Sequence, residues 1–301
     1  MNKPVSPKDN SDDIYPRLKE LCQRHNIRFK KQLGQNMLLD DNINAIMVRA
    51  AGLTPEDSVI EVGSGLGALT RKLVHQAGRL LCVEIDASFM PCLEEQFGQN
   101  EKVTLFRGDI LNHDLDNLIA EFLPHAGTLK MVSNLPYYVT TPVLFHFLES
   151  PVYFERLVVM TQYEVGQRLT AAVNSEDYGV LSIAARLYAH TDIVHRVPAS
   201  CFLPRPKVDS CIVRFRCHEG SPFPGLEISE IMKVVRSAFR QRRKTLRNTL
   251  TGGNLGLSRE EIMDVLSEVG IDHNRRAQTL DCNDFASLTA QIKTIRNNAL
   301  S

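Results

Sequence analysis

The stretch Ser133-Asn134-Leu135-Pro136-Tyr137-Tyr138 combines an amide, a rigid turn and two aromatic rings. The Asn134 side chain offers an acceptor oxygen and donor hydrogens. Pro136 fixes its own φ and biases Leu135 toward an extended backbone, which aims carbonyls outward. Tyr137 supplies a face on which a flat ring can stack. These are parts for holding a planar amine. An isolated Asn-x-Pro-Tyr is more often a plain turn, with the amide bonded to its own backbone and the rings packed inward. The company the motif keeps decides between the two.

That company stands at three other strand-like runs. Gly63-Ser64-Gly65-Leu66-Gly67 follows the run 58–62. Its third glycine comes one residue too early for the dinucleotide fingerprint, which disfavours a dehydrogenase. Glycines there let the backbone approach a ligand closely. Glu84 ends the run 80–83, about twenty residues on, placed to accept hydrogen bonds from a ribose diol. Asp109 follows the run 103–106 and is placed to accept from an adenine amino group. Asn134 itself follows the run 129–132. Taken singly, Glu84 and Asp109 are ordinary turn carboxylates; one strand end for each part of a nucleoside is a sharper signal.

The elements that must position these groups alternate. Strands at 58–62, 80–83, 103–106, 129–132 and 157–160 are separated by helical stretches, which predicts an α/β fold with a parallel sheet covered on both faces. Thr140-Thr141-Pro142 predicts a helix start, with Thr as N-cap and Pro in the first turn. Upstream, 14–26 reads as a polar helix and Arg28-Phe29-Lys30-Lys31 opens a basic loop. Alone that loop reads as a solvated surface run; Gln35-Asn36 beside an apolar pair reads equally as a polar lip over a pocket, and Asp40 or Asp41 caps the next helix. Downstream come helices over 163–173 and 180–188, then a hairpin-like pair, 194–197 and 212–215, at the sheet edge. Phe202 lies in the loop between them, as a core residue or as the cover of an adenine pocket; the core reading is favoured. Ser221-Pro222-Phe223-Pro224-Gly225 reads as a linker, and the remainder is helical, with a capping box at Ser258-Arg259-Glu260-Glu261. The predicted divisions are a tail and polar helix over 1–27, a domain over 28–218 and a helical domain over 226–301.

Composition bounds the rest. The 301 residues are 43% hydrophobic and 23% charged, as in an ordinary globular chain. Seven cysteines form no C-x-x-C pair and nine histidines no metal-ligand spacing, which argues against a metal site and for a reducing cytoplasm. No apolar run approaches a membrane span, and no secretory or organellar address is visible. Net charge is zero, yet residues 233–247 hold seven basic side chains and no acidic one. Such a run is either a solvated helix face or a footprint for phosphates.

With these residues in place the chain resembles the rRNA adenine dimethyltransferases, most closely the KsgA/RsmA branch. The likeness runs from about Phe29 to the last helix. It rests on Gly34-Gln35-Asn36-Met37-Leu38, Glu61-Val62-Gly63-Ser64-Gly65-Leu66-Gly67, Asn134-Leu135-Pro136-Tyr137, Pro204-Arg205-Pro206-Lys207-Val208-Asp209-Ser210 and Gln241-Arg242-Arg243-Lys244-Thr245. It implies a class I S-adenosyl-L-methionine-dependent methyltransferase fold with a small all-helical C-terminal domain. It implies dimethylation of the 6-amino groups of two adjacent adenines near the 3′ end of small-subunit rRNA, in an immature 30S particle, by a monomer.

By the same resemblance, Asn36, Leu38, Gly63, Gly65, Glu84, Asp109 and Asn134 bind the cofactor. Asn134, Leu135, Pro136 and Tyr137 form the catalytic loop, with Tyr137 and Phe202 stacking on the target base. Arg28, Lys30, Lys31, Arg240, Arg242, Arg243, Lys244 and Arg247 contact RNA. The chain departs from the family in its long N-terminal tail and in the charge of the loop 198–206. Three competing readings are a DNA adenine methyltransferase, which Leu135 disfavours, a large-subunit methyltransferase of the antibiotic-resistance type, and a ribosome-assembly factor without turnover.

Overall fold

The central apolar runs 58–62, 80–83, 130–132 and 157–160 fold as strands buried on both sheet faces, where a continuous apolar stretch is required, while 103–106 at the edge is half-buried. A computed structural model describes residues 15–27, 36–253 and 255–298. In chain order it begins α1 (Tyr15–Arg24), β1 (Met37–Leu38), α2 (Asp41–Ala51), β2 (Ser58–Val62), α3 (Ala68–Leu73), β3 (Arg79–Glu84), α4 (Met90–Phe97) and β4 (Val103–Arg107). It continues α5 (Leu115–Phe122), β5 (Leu129–Asn134), α6 (Thr140–Leu148), β6 (Arg156–Gln162), α7 (Tyr163–Thr170) and α8 (Val180–Tyr188). Then come β7 (Ala189–Val197), β8 (Phe202–Leu203), β9 (Ser210–Cys217), α9 (Ile228–Ala238), α10 (Leu246–Thr251), α11 (Arg259–Glu268) and α12 (Cys282–Asn298).

The chain divides into two compact units. The first takes in the described residues up to Tyr163 together with Ile193–Phe215. Its sheet has the order β4-β3-β2-β5-β6-β9-β7. The pairs β4/β3, β3/β2, β2/β5 and β5/β6 are all parallel. Strands β9 and β7 close one edge, where the hairpin-like pair was expected. On one face Met47, Val48 and Ala51 of α2 and Leu73 of α3 pack on Val59, Leu80 and Val158.

The last turn of α2 leaves carbonyls without helical partners. Arg156 donates to the Ala50 and Ala51 carbonyls at 3.4 and 3.1 Å. Lys130, buried in β5, donates to the Gly52 carbonyl at 2.9 Å and to Asp57 Oδ2 at 2.8 Å. The start of α6 differs from expectation. Its N-cap is Val139, and the Thr140 hydroxyl instead donates back to the Pro136 carbonyl at 3.0 Å. Thr140 thereby ties the helix to the turn before it, a use that a sequence preference for capping does not distinguish.

The second unit groups Glu164–Asp192 with the residues from Arg216 onward. The sequence reading puts 164–192 inside the first domain. In the structure Tyr178 is fully buried, its hydroxyl donates to the Leu280 carbonyl at 2.8 Å, and its ring meets Phe239. These contacts knit 164–192 to the C-terminal helices. The capping box of α11 forms, with Ser258 and Glu261 bonded reciprocally at 3.1 and 2.7 Å. The basic stretch 239–248 is a corner: a short 3-10 turn over Phe239–Gln241, then α10.

Candidate cofactor and target-base site

From β2 the sheet extends through β3 and β4 on one side and through β5 and β6 on the other, all parallel. The reversal of strand order falls between β2 and β5, the switch point at which open α/β sheets bind ligands. Ladder pairing of β2 with β5 spans Ser58, Val59 and Ile60. Higher up, the buried Ser133 hydroxyl accepts the Val62 N–H at 2.9 Å and so satisfies that backbone group. Above these strand ends lies a cavity of about 310 Å³, a size that fits a small ligand.

The loop after β2 is the floor of this cavity. Gly63, Gly65 and Gly67 all have positive φ, at 76°, 54° and 76°. The Gly65 Cα faces open space: a Cβ there would meet nothing within 4 Å. Gly67 is constrained differently, since a Cβ would come within 2.5 Å of the Phe97 ring on α4. Gly65 donates its N–H to Glu84 Oε2 at 2.8 Å, and the Asp86 N–H donates to Glu84 Oε1 at 2.8 Å. Glu84 is 4% exposed, and burial raises its carboxyl above the usual carboxylate range. Each of its oxygens keeps a lone pair for a ligand in the cavity.

Asp109 also lines the cavity, but part of its side chain is committed to its own turn. Its Oδ1 accepts the Leu111 N–H at 3.1 Å, capping the short 3-10 turn Ile110–Asn112. Asn36 and Leu38 line the opposite wall. Leu38 is held there by pairing of β1 with β8, which sets Leu38 beside Phe202 and Met37 beside Leu203. Phe202 is 3% exposed and belongs to the core, and it also lines the cavity.

The Asn134 loop forms the remaining wall. The Pro136 carbonyl is taken by the Val139 N–H at 3.1 Å and by Thr140. Among the described residues nothing donates to the Leu135 carbonyl, and the Asn134 side chain has no hydrogen-bond partner. Both acceptors lie at the cavity. The Tyr137 ring lines it, anchored by a 2.6 Å hydrogen bond between its hydroxyl and Ser210 Oγ. Burial pushes the Tyr137 phenol up, so it stays neutral.

Several lining residues were not picked out from the sequence. Ile85 and Leu111 stand 52% and 36% exposed at the rim, one residue past Glu84 and two past Asp109. Their offset from the acidic residues was the available signal. Leu18 of α1 also lines the cavity, and so does Tyr138, the second ring of the loop that the sequence singles out. Glu61 is buried below it, accepting from Thr70 at 2.5 Å, and desolvation pushes its carboxyl to about 7.

The residues expected to contact RNA fare unevenly. Arg28, Lys30, Lys31 and the Gly34-Gln35 part of the first motif lie outside the described residues. In the second unit Arg240 donates to the Gly252 carbonyl, and Arg242 to the Glu176 carbonyl. Arg247 has its Nε buried without a partner. Arg243 and Lys244 are exposed and make no ion pair among the described residues. Among the described residues no helix is long and apolar enough to cross a membrane, and no group of three His, Cys, Asp or Glu is arranged for a metal ion.

An acidic strand end beside a glycine backbone left open for a ligand, with unpartnered acceptors facing them, fits an adenosine bearing a methylated sulfur. The parallel sheet and this site define a class I S-adenosylmethionine-dependent methyltransferase. The model of the family "Ribosomal RNA adenine dimethylase" matches residues 26–293. The chain belongs to that family. It is 40% identical over 280 residues to "Ribosomal RNA small subunit methyltransferase A" of Clostridium perfringens (strain SM101 / Type A), covering 93% of this chain and 96% of the relative. Among solved structures it is similar to a dimethyladenosine transferase from Plasmodium falciparum, with TM-score 0.74 and 25% identity, covering 86% of this chain and 98% of that one. It shares its fold with the 23S rRNA methyltransferase ErmE, at TM-score 0.66 and 23% identity, covering 85% and 99%.

Proposed function

We propose that this chain dimethylates the 6-amino groups of two adjacent adenines near the 3′ end of small-subunit ribosomal RNA, as a step in 30S biogenesis. The observation that carries the reading is the pair of unpartnered acceptors, Asn134 and Leu135, at the cavity of a chain in the adenine dimethylase family.

When bound, S-adenosylmethionine supplies a methyl on a positively charged sulfur, already electrophilic. Gly63 and Gly65 bring backbone close to it, and Glu84 accepts from its ribose hydroxyls. Asp109 accepts from its adenine through Oδ2, on which its own turn places only the long 3.5 Å contact from the Asn112 amide. Asn36, Leu38 and Asn134 complete the cofactor contacts. An adenine amino nitrogen is a weak nucleophile because its lone pair is delocalised into the ring. The Asn134 side-chain oxygen and the Leu135 carbonyl accept its two hydrogens, which favours a pyramidal nitrogen with a directed lone pair. Tyr137 and Phe202 hold the flipped ring, with stacking contributing about 1–3 kcal/mol per base. Positioning of this kind is worth roughly 7–11 kcal/mol of barrier, so little acid–base chemistry is required. After the first transfer one N–H remains for two acceptors.

The test uses purified protein, labelled S-adenosylmethionine and 30S or 50S particles from a strain lacking the modification, read by mass spectrometry of digested rRNA. Dimethyladenosine at two neighbouring positions is expected in the 30S particle alone. Asn134→Ala is expected to lose turnover by 100-fold or more with rRNA binding kept. Transfer to 50S particles alone, or full turnover by Asn134→Ala, overturns the reading.

A further inference from the structure

The two tyrosines of the active loop diverge. Residues Pro136–Val139 form a turn closed by the Val139 N–H on the Pro136 carbonyl at 3.1 Å and tied again by Thr140 at 3.0 Å. Tyr137 points inward to Ser210. Tyr138 lines the mouth of the same cavity yet stands 58% exposed, with no hydrogen-bond partner among the described residues. No other large apolar or aromatic residue among those described leaves so large a fraction in water. A doubly tied turn thus holds an aromatic ring in solvent beside the base pocket.

A base drawn out of its stack leaves its neighbour with one uncovered face. The loop before Ser210, the residue that anchors Tyr137, carries charge: Arg205 and Lys207 are exposed and make no ion pair among the described residues. Arg205 is near enough to Asp209 to act on its charge, and Asp209 adjoins Ser210.

We infer that Tyr138 is the stacking platform for the nucleobase next to the one being methylated, and so a positioning residue for the second of two neighbouring targets. The inference rests on the RNA substrate reading above. Its test compares wild type, Tyr138→Phe and Tyr138→Ala on 30S particles reconstituted with a ligated synthetic 3′ end. One particle carries both adenines; in the other, one adenine is an abasic nucleotide.

On the intact particle Tyr138→Ala should raise KM for RNA about 5- to 100-fold, the range that one base–aromatic stack supplies. The Phe variant should match wild type, and melting temperature and KM for S-adenosylmethionine should be unchanged. On the abasic particle wild type and Tyr138→Ala should agree within two-fold, since no ring remains to stack. An Ala variant equal to wild type on the intact particle overturns the inference. So does an equal penalty on both particles, or a penalty seen only in KM for S-adenosylmethionine. Failure of the wild type to methylate the intact particle overturns the substrate reading instead, and the inference with it.

Discussion

Replacing Glu84 by Gln separates the structural use of this carboxylate from its use toward a ligand. Each oxygen takes one backbone hydrogen, from Gly65 and from Asp86, both at 2.8 Å. An amide has a single oxygen, so whichever way it turns, one N–H faces an NH₂ group. The site is 4% exposed, and a donor orphaned there costs about 1–3 kcal/mol. Melting should fall by about 2–4 °C per kcal/mol in a chain of this size. A hydrogen bond from a ribose hydroxyl to a charged acceptor is worth about 1.5–3 kcal/mol, so affinity for S-adenosylhomocysteine should drop about 10- to 100-fold.

The same substitution has a pH signature. Burial raises the Glu84 carboxyl, so wild-type affinity should weaken at mildly acidic pH as the acceptor is protonated. In Glu84→Gln that dependence should disappear. Calorimetric titration of S-adenosylhomocysteine across a pH series, with melting curves alongside, reads all three effects. Lowered melting with affinity within two-fold of wild type would refute the ribose role and leave Glu84 as a brace for the glycine loop.

Three other perturbations have defined outcomes. Lys130→Met removes the cation paired with the buried Asp57, and urea unfolding should show a loss of about 3–5 kcal/mol; a loss under 1 kcal/mol contradicts the assigned pairing. Glu61 keeps its proton up to about pH 7 when folded but only to about 4.5 when unfolded. The folded state therefore binds more protons between those values, and stability falls as pH rises through them, by roughly 3 kcal/mol in all. Melting curves of Glu61→Gln should lose that slope, and an unchanged slope assigns it elsewhere. Arg243→Glu should weaken RNA binding at low salt and reduce the slope of log K against log salt by about one, with melting unchanged. Arg242→Glu should lower melting as well, because its guanidinium holds the Glu176 carbonyl.

The elements and the acidic and glycine strand ends were legible in the chain because their signals are local. Runs such as Val59–Val62 and Leu80–Val83 read as buried strands, and the structure contains them. Gly63 to Gly67, Glu84, Asp109 and Asn134 each sit at the end of such a run, so the parallel order alone brings them to one edge of the sheet. What lay outside local signals depended on contacts across long separations. The β1–β8 pairing joins two stretches read as loops and sets Leu38 against Phe202. Two-residue strands carry too little periodicity to announce themselves. The grouping of residues 164–192 with the C-terminal helices follows from Tyr178 reaching Leu280, and no linker composition marks that boundary.

Composition likewise could not say which arginines of 240–247 hold carbonyls and which face water, since one side chain type does both. Nor could it say which tyrosine of the pair turns inward. Ser210, distant in sequence, captures the Tyr137 hydroxyl, and the turn then leaves Tyr138 outside. Local pattern determines which groups stand at a strand's end. Only packing of distant segments determines which of them keep a free hydrogen-bonding face, because that depends on the partners the fold brings to each.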